Sequence, residues 1–230
     1  MRWVAVSIEE VSIKEEPGFQ RARSHEQREL RRRAILDAAE VLLAEVPLDD
    51  LGLRELSRRL GTSKTNVVRY FESREGVLLA LLNRTRQIWL DDLEKELPAA
   101  PADLDDVIRA WADTLAARPL LCQLWSLLAM VLERNVSAES VRAYKLEDLE
   151  HRTRLARLLS ERVRGLDERA ALHLTRVGVV ILAGLWPFSN PTPAIIEATA
   201  DPRLADARVD FPRAYADMLG LAARGLVRRP

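Results

Sequence analysis

The chain has a single cysteine, Cys122, which excludes an intramolecular disulfide and any multi-cysteine zinc site. Aromatic residues make up only 5% of it, and nine glycines and eleven prolines in 230 residues exclude a collagen-like or linker-dominated polymer. Neither sign of charge prevails, since 35 basic residues face 35 acids, so net charge says nothing about a nucleic-acid partner. The longest uninterrupted apolar run, Val177 to Trp186, is ten residues, too short to span a bilayer. The N-terminus, MRWVAVSIEEVSIKEEP, has acids where a signal peptide needs its apolar stretch. A cytoplasmic protein with no membrane partner is expected, and the sequon Asn135-Val136-Ser137 reads as coincidence. No G-x-S-x-G, Walker loop or H-E-x-x-H occurs. An enzyme is therefore not expected, and no catalytic residue, cofactor or metal ligand is assigned. His151 and His173 have no partners at metal-ligand spacing and read as structural or exposed.

What is present is an apolar fraction of 48%, enough for a substantial core in one large domain or two small ones. Apolar residues recur at helical spacing almost throughout, and stretches alternating with period two are scarce. Ile35, Ala38, Ala39, Leu42 and Leu43 form one stripe of a helix over 24–45, with Ser24 and Gln27 as a capping box and Pro47 as its stop. Leu53, Leu56 and Leu60 mark a short second helix closed by Gly61. Thr62 or Ser63 caps a third, burying Val67 and Phe71, and Ser73 caps a long fourth running to Pro98. Longer helices are expected near 103–117, 119–134, 137–164, 167–186 and 209–226, with Asp167 as a cap and a short helix within 194–208. The fold reading is all-α: a three-helix N-terminal unit with a helix-turn-helix, then a larger helical domain. The expected divisions are an extension over 1–23, a DNA-binding unit over 24–72 and a ligand-binding and dimerisation domain over 73–230.

The charge is unevenly placed. Between Arg54 and Arg74 six basic residues face only Glu55 and Glu72. Such a local basic surface suits phosphate contact, although a solvated helix face accounts for charge alone equally simply. In LGLRELSRRLGTSKTNVVRYFESREGVL, Leu51 to Leu78, two short helices meet at Gly61-Thr62-Ser63, a tight turn that sets them at a steep angle. The second exposes Lys64, Thr65, Asn66, Arg69 and Tyr70. Short polar groups at a helix N-terminus reach base edges when that helix lies in a major groove, and its first amides can receive phosphate.

The segments AILDAAEVLLAE (34–45), LRELSRRLGTSKTNVVRYF (53–71) and SREGVLLALL (73–82) together resemble the tetracycline-repressor (TetR) family of bacterial regulators. The resemblance is specific because it sets three helices, a turn and the entry to the fourth helix in order. Departures are Pro47 and Gly52 at loop and cap positions, Val68 where a tyrosine is common in the recognition helix, and Arg74 in place of lysine. The resemblance implies that Arg54 enters the groove from the second helix. Ser63, Lys64, Thr65, Asn66, Arg69 and Tyr70 would act from the recognition helix, with Arg74 on the backbone. Arg58 and Arg59 read as solvated. Arg21, Arg23, Arg28 and Arg31 to Arg33 form either a phosphate-reaching arm or a merely solvated one.

The resemblance also implies homodimerisation through the last two long helices and an internal pocket for an unidentified small-molecule effector. The dimer face is expected on Leu172, Val179 and Ala183, with Gly178 and Gly184 permitting close approach; burial of this apolar run inside the subunit alone is the alternative. The candidate pocket residues are Trp111, Cys122, Trp125, Met130 and Trp186, although any one of them taken singly reads better as ordinary core. The function expected is a ligand-responsive transcriptional regulator, a repressor on a palindromic double-stranded DNA operator. The alternative is a helical small-molecule-binding protein or enzyme that has lost DNA binding.

Overall fold

The computed structural model describes residues 17–128 and 135–227, with side chains from residue 25 onward and that of Ala205 excepted. Among the described residues the regular structure is helical, and the single β-type pairing is an isolated bridge between Ala102 and Val163. The chain divides into two compact units, the first ending at Ser63 and the second starting at Lys64.

The first unit holds α1 (Pro17–Leu43), a 3₁₀ turn (Leu48–Asp50) and α2 (Leu53–Arg59). The expected stripe of α1 is buried at Ile35, Ala39 and Leu42, and α1 packs on α2, whose Leu56 is fully buried. α1 begins earlier than the sequence suggests, so position 24 lies inside the helix and not at its start. Residues 1–16 of the expected extension, and the side chains of Arg21 and Arg23, lie outside the described residues. Gly61 sits at φ 60°, the left-handed conformation that only glycine adopts without strain. It ends α2, and the Thr62 amide then donates to the Ser57 carbonyl at 3.0 Å.

The second unit contains α3 (Lys64–Phe71), α4 (Arg74–Glu96), α5 (Leu104–Ala116), α6 (Pro119–Leu127), α7 (Ala138–Arg162), α8 (Glu168–Ser189), α9 (Pro193–Ala198), a 3₁₀ segment (Pro202–Ala207) and α10 (Phe211–Leu226). Two of the expected caps form. Ser73 Oγ accepts from the Gly76 amide at 3.1 Å and Asp167 Oδ1 from the Ala170 amide at 2.8 Å. The division falls before α3 because α3 packs on α4. α4 is the central element, burying Leu78, Leu81, Leu82, Trp89, Leu90 and Leu93 against α5, α6 and α7.

α8 continues through Pro187, where the sequence reading placed a break. A proline in the last turn forfeits a single amide bond, which the packing of α8 on α6, α7 and α10 outweighs. By length and composition α8 could cross a membrane, but here its inner face is core. That face is not the one expected. Gly178 is buried where a Cβ would stand 2.8 Å from the Tyr215 hydroxyl and 3.0 Å from the Trp111 ring of the same chain. Leu172, Val179 and Ala183 are half-buried, while Val180 and Phe188, each 71% exposed, form the outward face with Gly184.

Candidate nucleic-acid interface and ligand cavity

α3 is amphipathic: Val67 and Phe71, one turn apart, are buried, and the opposite face is polar. Lys64, Thr65 and Arg69 are exposed, and Asn66 and Tyr70 are half-buried. Arg69 links the last two, donating to Asn66 Oδ1 at 2.8 Å and lying over the Tyr70 ring at 5.2 Å. The guanidinium thus orders a polar patch on the second turn of α3. Val68, where the family pattern favours tyrosine, is half-buried.

In the first unit, Arg54 and Ser63 are exposed. Arg58 and Arg59 are exposed, as the sequence suggested, and are also ion-paired. Arg58 pairs with Glu55 at 2.7 Å, and Arg59 bridges Glu55 at 3.1 Å and Glu45. These hydrogen bonds, first from Arg58 and then from Arg59, hold the Glu55 carboxyl down to about 2. Arg74 is half-buried and pairs with Glu75 at 3.2 Å, a carboxylate the sequence reading did not consider.

The α3–α4 junction is tight. Glu72 takes a left-handed φ of 66°, and its carboxylate accepts from Ser140 Oγ at 2.7 Å and Ser137 Oγ at 3.0 Å at the start of α7. Those hydroxyls lower the Glu72 pKa, Ser140 first. At Gly76 an added Cβ would lie 1.9 Å from the Phe71 carbonyl oxygen, so only glycine fits without a shift.

The second feature is an apolar cavity inside the second unit. Its volume is about 20 Å³, room for roughly one water. α4 contributes Arg86, Trp89 and Leu90 to its wall, α5 and α6 contribute Trp111, Leu115 and Trp125, and α7 contributes His151, Arg152 and Leu155. α8 and α10 close it with Thr175, Val179, Leu182 and Tyr215. The three tryptophans are in ring contact, with Trp89 centroids 6.2 Å from Trp111 and 5.6 Å from Trp125.

Of the pocket candidates read from the sequence, Trp111 and Trp125 reach this cavity. Cys122 and Trp186 do not: the Cys122 thiol is buried against the Leu115 carbonyl at 3.3 Å, and Trp186 packs edge-on against Phe211 at 5.0 Å. Met130 lies outside the described residues. The sequence reading missed Trp89 and Tyr215, whose aromatic character was the available signal. It also missed Arg86 and His151, polar residues at positions with no local sign of burial.

One end of the cavity is ionic. Arg86 pairs with Asp148 and donates to Asn83 Oδ1 at 2.9 Å and to His151 Nδ1 at 3.0 Å. His151 Nδ1 is therefore the acceptor, so Nε2 carries the proton and donates to Gln87 Oε1 at 2.8 Å. Burial first, and then the Arg86 charge, press the imidazole down to about 4. Among the described residues no group of three or more His, Cys, Asp or Glu side chains could hold a metal ion.

Two family models match the chain: "Bacterial regulatory proteins, tetR family" over residues 35–81 and "Tetracyclin repressor-like, C-terminal domain" over residues 83–230. The HTH-type transcriptional regulator EthR of Mycobacterium tuberculosis is 40% identical over 72 residues, covering 31% of this chain. That match spans only 33% of EthR itself. The fold is similar to that of the fatty acid degradation regulator FadR from Bacillus halodurans, 17% identical, covering 86% of this chain and 97% of that one with TM-score 0.51. It is also similar to a transcriptional regulator from Rhodococcus sp. Rha1, 18% identical, covering 86% and 99% with TM-score 0.52. The helical order, the turn at Gly61 and the two matched regions lead to one conclusion: the chain belongs to the TetR family.

Proposed function

We propose that the protein is a ligand-responsive transcriptional repressor that binds a palindromic DNA operator as a homodimer in the cytoplasm. The observation that carries this reading is the polar face of α3, which offers Lys64, Thr65, Asn66 and Arg69 around buried Val67 and Phe71. The likeness to EthR, named as a helix-turn-helix transcriptional regulator, supports it. In this reading residues 24–72 are the DNA-binding domain, preceded by an extension, and residues 73–230 bind effector and partner subunit. Arg54, Ser63, Lys64, Thr65, Asn66, Arg69, Tyr70 and Arg74 are the DNA contacts. Arg74 leaves Glu75 for phosphate.

The outward faces of α8 and α10 supply the dimer contact, through Val180 and Phe188 on one helix and Met218 and Leu221 on the other. Four large apolar side chains on neighbouring helices are a surface that a lone subunit gains nothing by exposing. Effector enters the cavity of the second unit. Because that cavity has room only for about one water, any larger ligand must push its walls apart. α4 is one of those walls and is joined to α3 through the Glu72 turn. A ligand that favours the opened cavity thereby shifts α3, and operator and effector disfavour each other reciprocally.

A mobility-shift assay with the DNA upstream of the protein's own gene tests this. Asn66→Ala is expected to weaken specific binding by about 1–3 kcal/mol while leaving binding to random DNA unchanged. Failure of the wild-type protein to prefer the upstream DNA would favour a small-molecule-binding protein that has lost DNA recognition.

A further inference from the structure

We propose that the cavity's ligand is a neutral, flat apolar molecule presenting a carbonyl-type hydrogen-bond acceptor, such as an aryl ketone or ester, to unmatched donors on its wall. This rests on the cavity's being the effector site and names the chemistry that site selects.

The wall's imidazole is fully committed. His151 uses Nδ1 to accept from Arg86, and its Nε2 proton goes to Gln87. The Thr175 hydroxyl donates to the Leu172 carbonyl at 2.8 Å. Two buried donors on the lining residues are not matched. Trp111 Nε1 and the Tyr215 hydroxyl have no hydrogen-bond partner. Arg152 Nε, by contrast, is ion-paired with Asp148 Oδ2 at 2.8 Å. An indole and a guanidinium can only donate. Trp111 is 2% exposed and Tyr215 0%, so neither finds bulk water.

A buried donor left without an acceptor carries a desolvation penalty that a ligand oxygen would remove. A ligand with donors alone would leave the Trp111 indole unmatched, and a cation would find Asp148 already paired with Arg86 and Arg152. A carboxylate is disfavoured because Arg86, the deeply buried cation, is committed to Asp148. The remaining lining is leucine, valine and indole faces, which suits a flat apolar body.

Three probes of nearly equal shape test the proposal on the full-length protein: acetophenone, α-methylstyrene, in which CH₂ replaces the carbonyl oxygen, and benzoate. Binding is followed by ligand-observed NMR titration, with thermal unfolding as an independent readout. Acetophenone is expected to bind about tenfold tighter than α-methylstyrene, the factor that 1.4 kcal/mol represents. Tyr215→Phe and Trp111→Phe should bring acetophenone down toward the hydrocarbon and leave the hydrocarbon's own affinity unchanged. Tyr215→Phe keeps the shape of the side chain, so it remains informative if Trp111→Phe folds poorly. Equal binding of ketone and hydrocarbon, tighter binding of benzoate, no binding of any probe, or full affinity in both variants would overturn the proposal. None of these measurements involves DNA, so this inference can fail while operator binding stands, and the reverse.

Discussion

Replacing Gly76 by alanine tests whether the junction between α3 and α4 is as tight as its geometry indicates. The new Cβ would lie 1.9 Å from the Phe71 carbonyl oxygen and 3.0 Å from its carbon. Carbon–oxygen contacts normally sit near 3.5 Å, so the backbone must move by about 1.5 Å. That carbonyl is not free to swing away, because it accepts the Ser73 amide at 2.6 Å. The same movement pulls the Gly76 amide from the capping Ser73 hydroxyl, now 3.1 Å away. Overpacking costs about 1–3 kcal/mol and a lost cap about 1 kcal/mol, while alanine's helix propensity returns about 1 kcal/mol. The net loss is about 1–3 kcal/mol, a drop of about 1 M in the urea midpoint followed by circular dichroism. Operator affinity should fall at least in proportion, since α3 is displaced from α4. Gly61→Ala is the comparison: nothing lies within 4 Å of its Cβ, so its cost is that of φ 60° alone, about 1–2 kcal/mol. If Gly76→Ala were as stable as the wild type to within about 0.5 kcal/mol and bound operator normally, the argument for a sterically locked junction would be refuted.

Val180→Arg combined with Leu221→Arg places two charges on the outward faces of α8 and α10, where these side chains are 71% and 70% exposed. Light scattering should then report a mass near 26.0 kDa instead of about twice that, and an unaltered dimer would move the interface elsewhere. His151 is pressed down to about 4 by burial and by Arg86, against the opposing pull of Asp148 and Asp91, with Arg154 adding to the repulsion. Above its unfolded value of 6.5 the imidazole is neutral in both states, so its full contribution is present there; as pH falls toward 4 the unfolded chain takes up the proton first and stability declines. Discounted for partial exposure the loss is on the order of 1–2 kcal/mol, and His151→Gln should flatten that part of the stability profile; an equal slope in the variant would assign it to other groups. Burial pushes the Cys122 thiol up to about 12, so iodoacetamide should leave the folded protein unmodified and react once urea unfolds it. Rapid alkylation in native buffer would show that α6 opens readily.

What the sequence determined by itself is local. Helix ends follow from Ser73, Asp167 and Gly61 because a cap or a left-handed turn acts within three or four residues, whatever surrounds it. The polar face of α3 was legible for the same reason: Val67 and Phe71, one turn apart, leave the other side to Lys64, Thr65 and Arg69. The faces of α8 were not legible, since its sequence is apolar nearly all round. Moving from Gly178 to Val180 turns about 200° about the helix axis, and only packing against Trp111 and Tyr215 decides that the glycine goes in and the valine out. The cavity is tertiary in the same sense. Arg86, Trp111, His151 and Tyr215 come from four helices, and no spacing in the chain relates them. Burial of Arg86 became possible only once α7 brought Asp148 and His151 alongside α4, because a guanidinium leaves water only where its charge and donors are met.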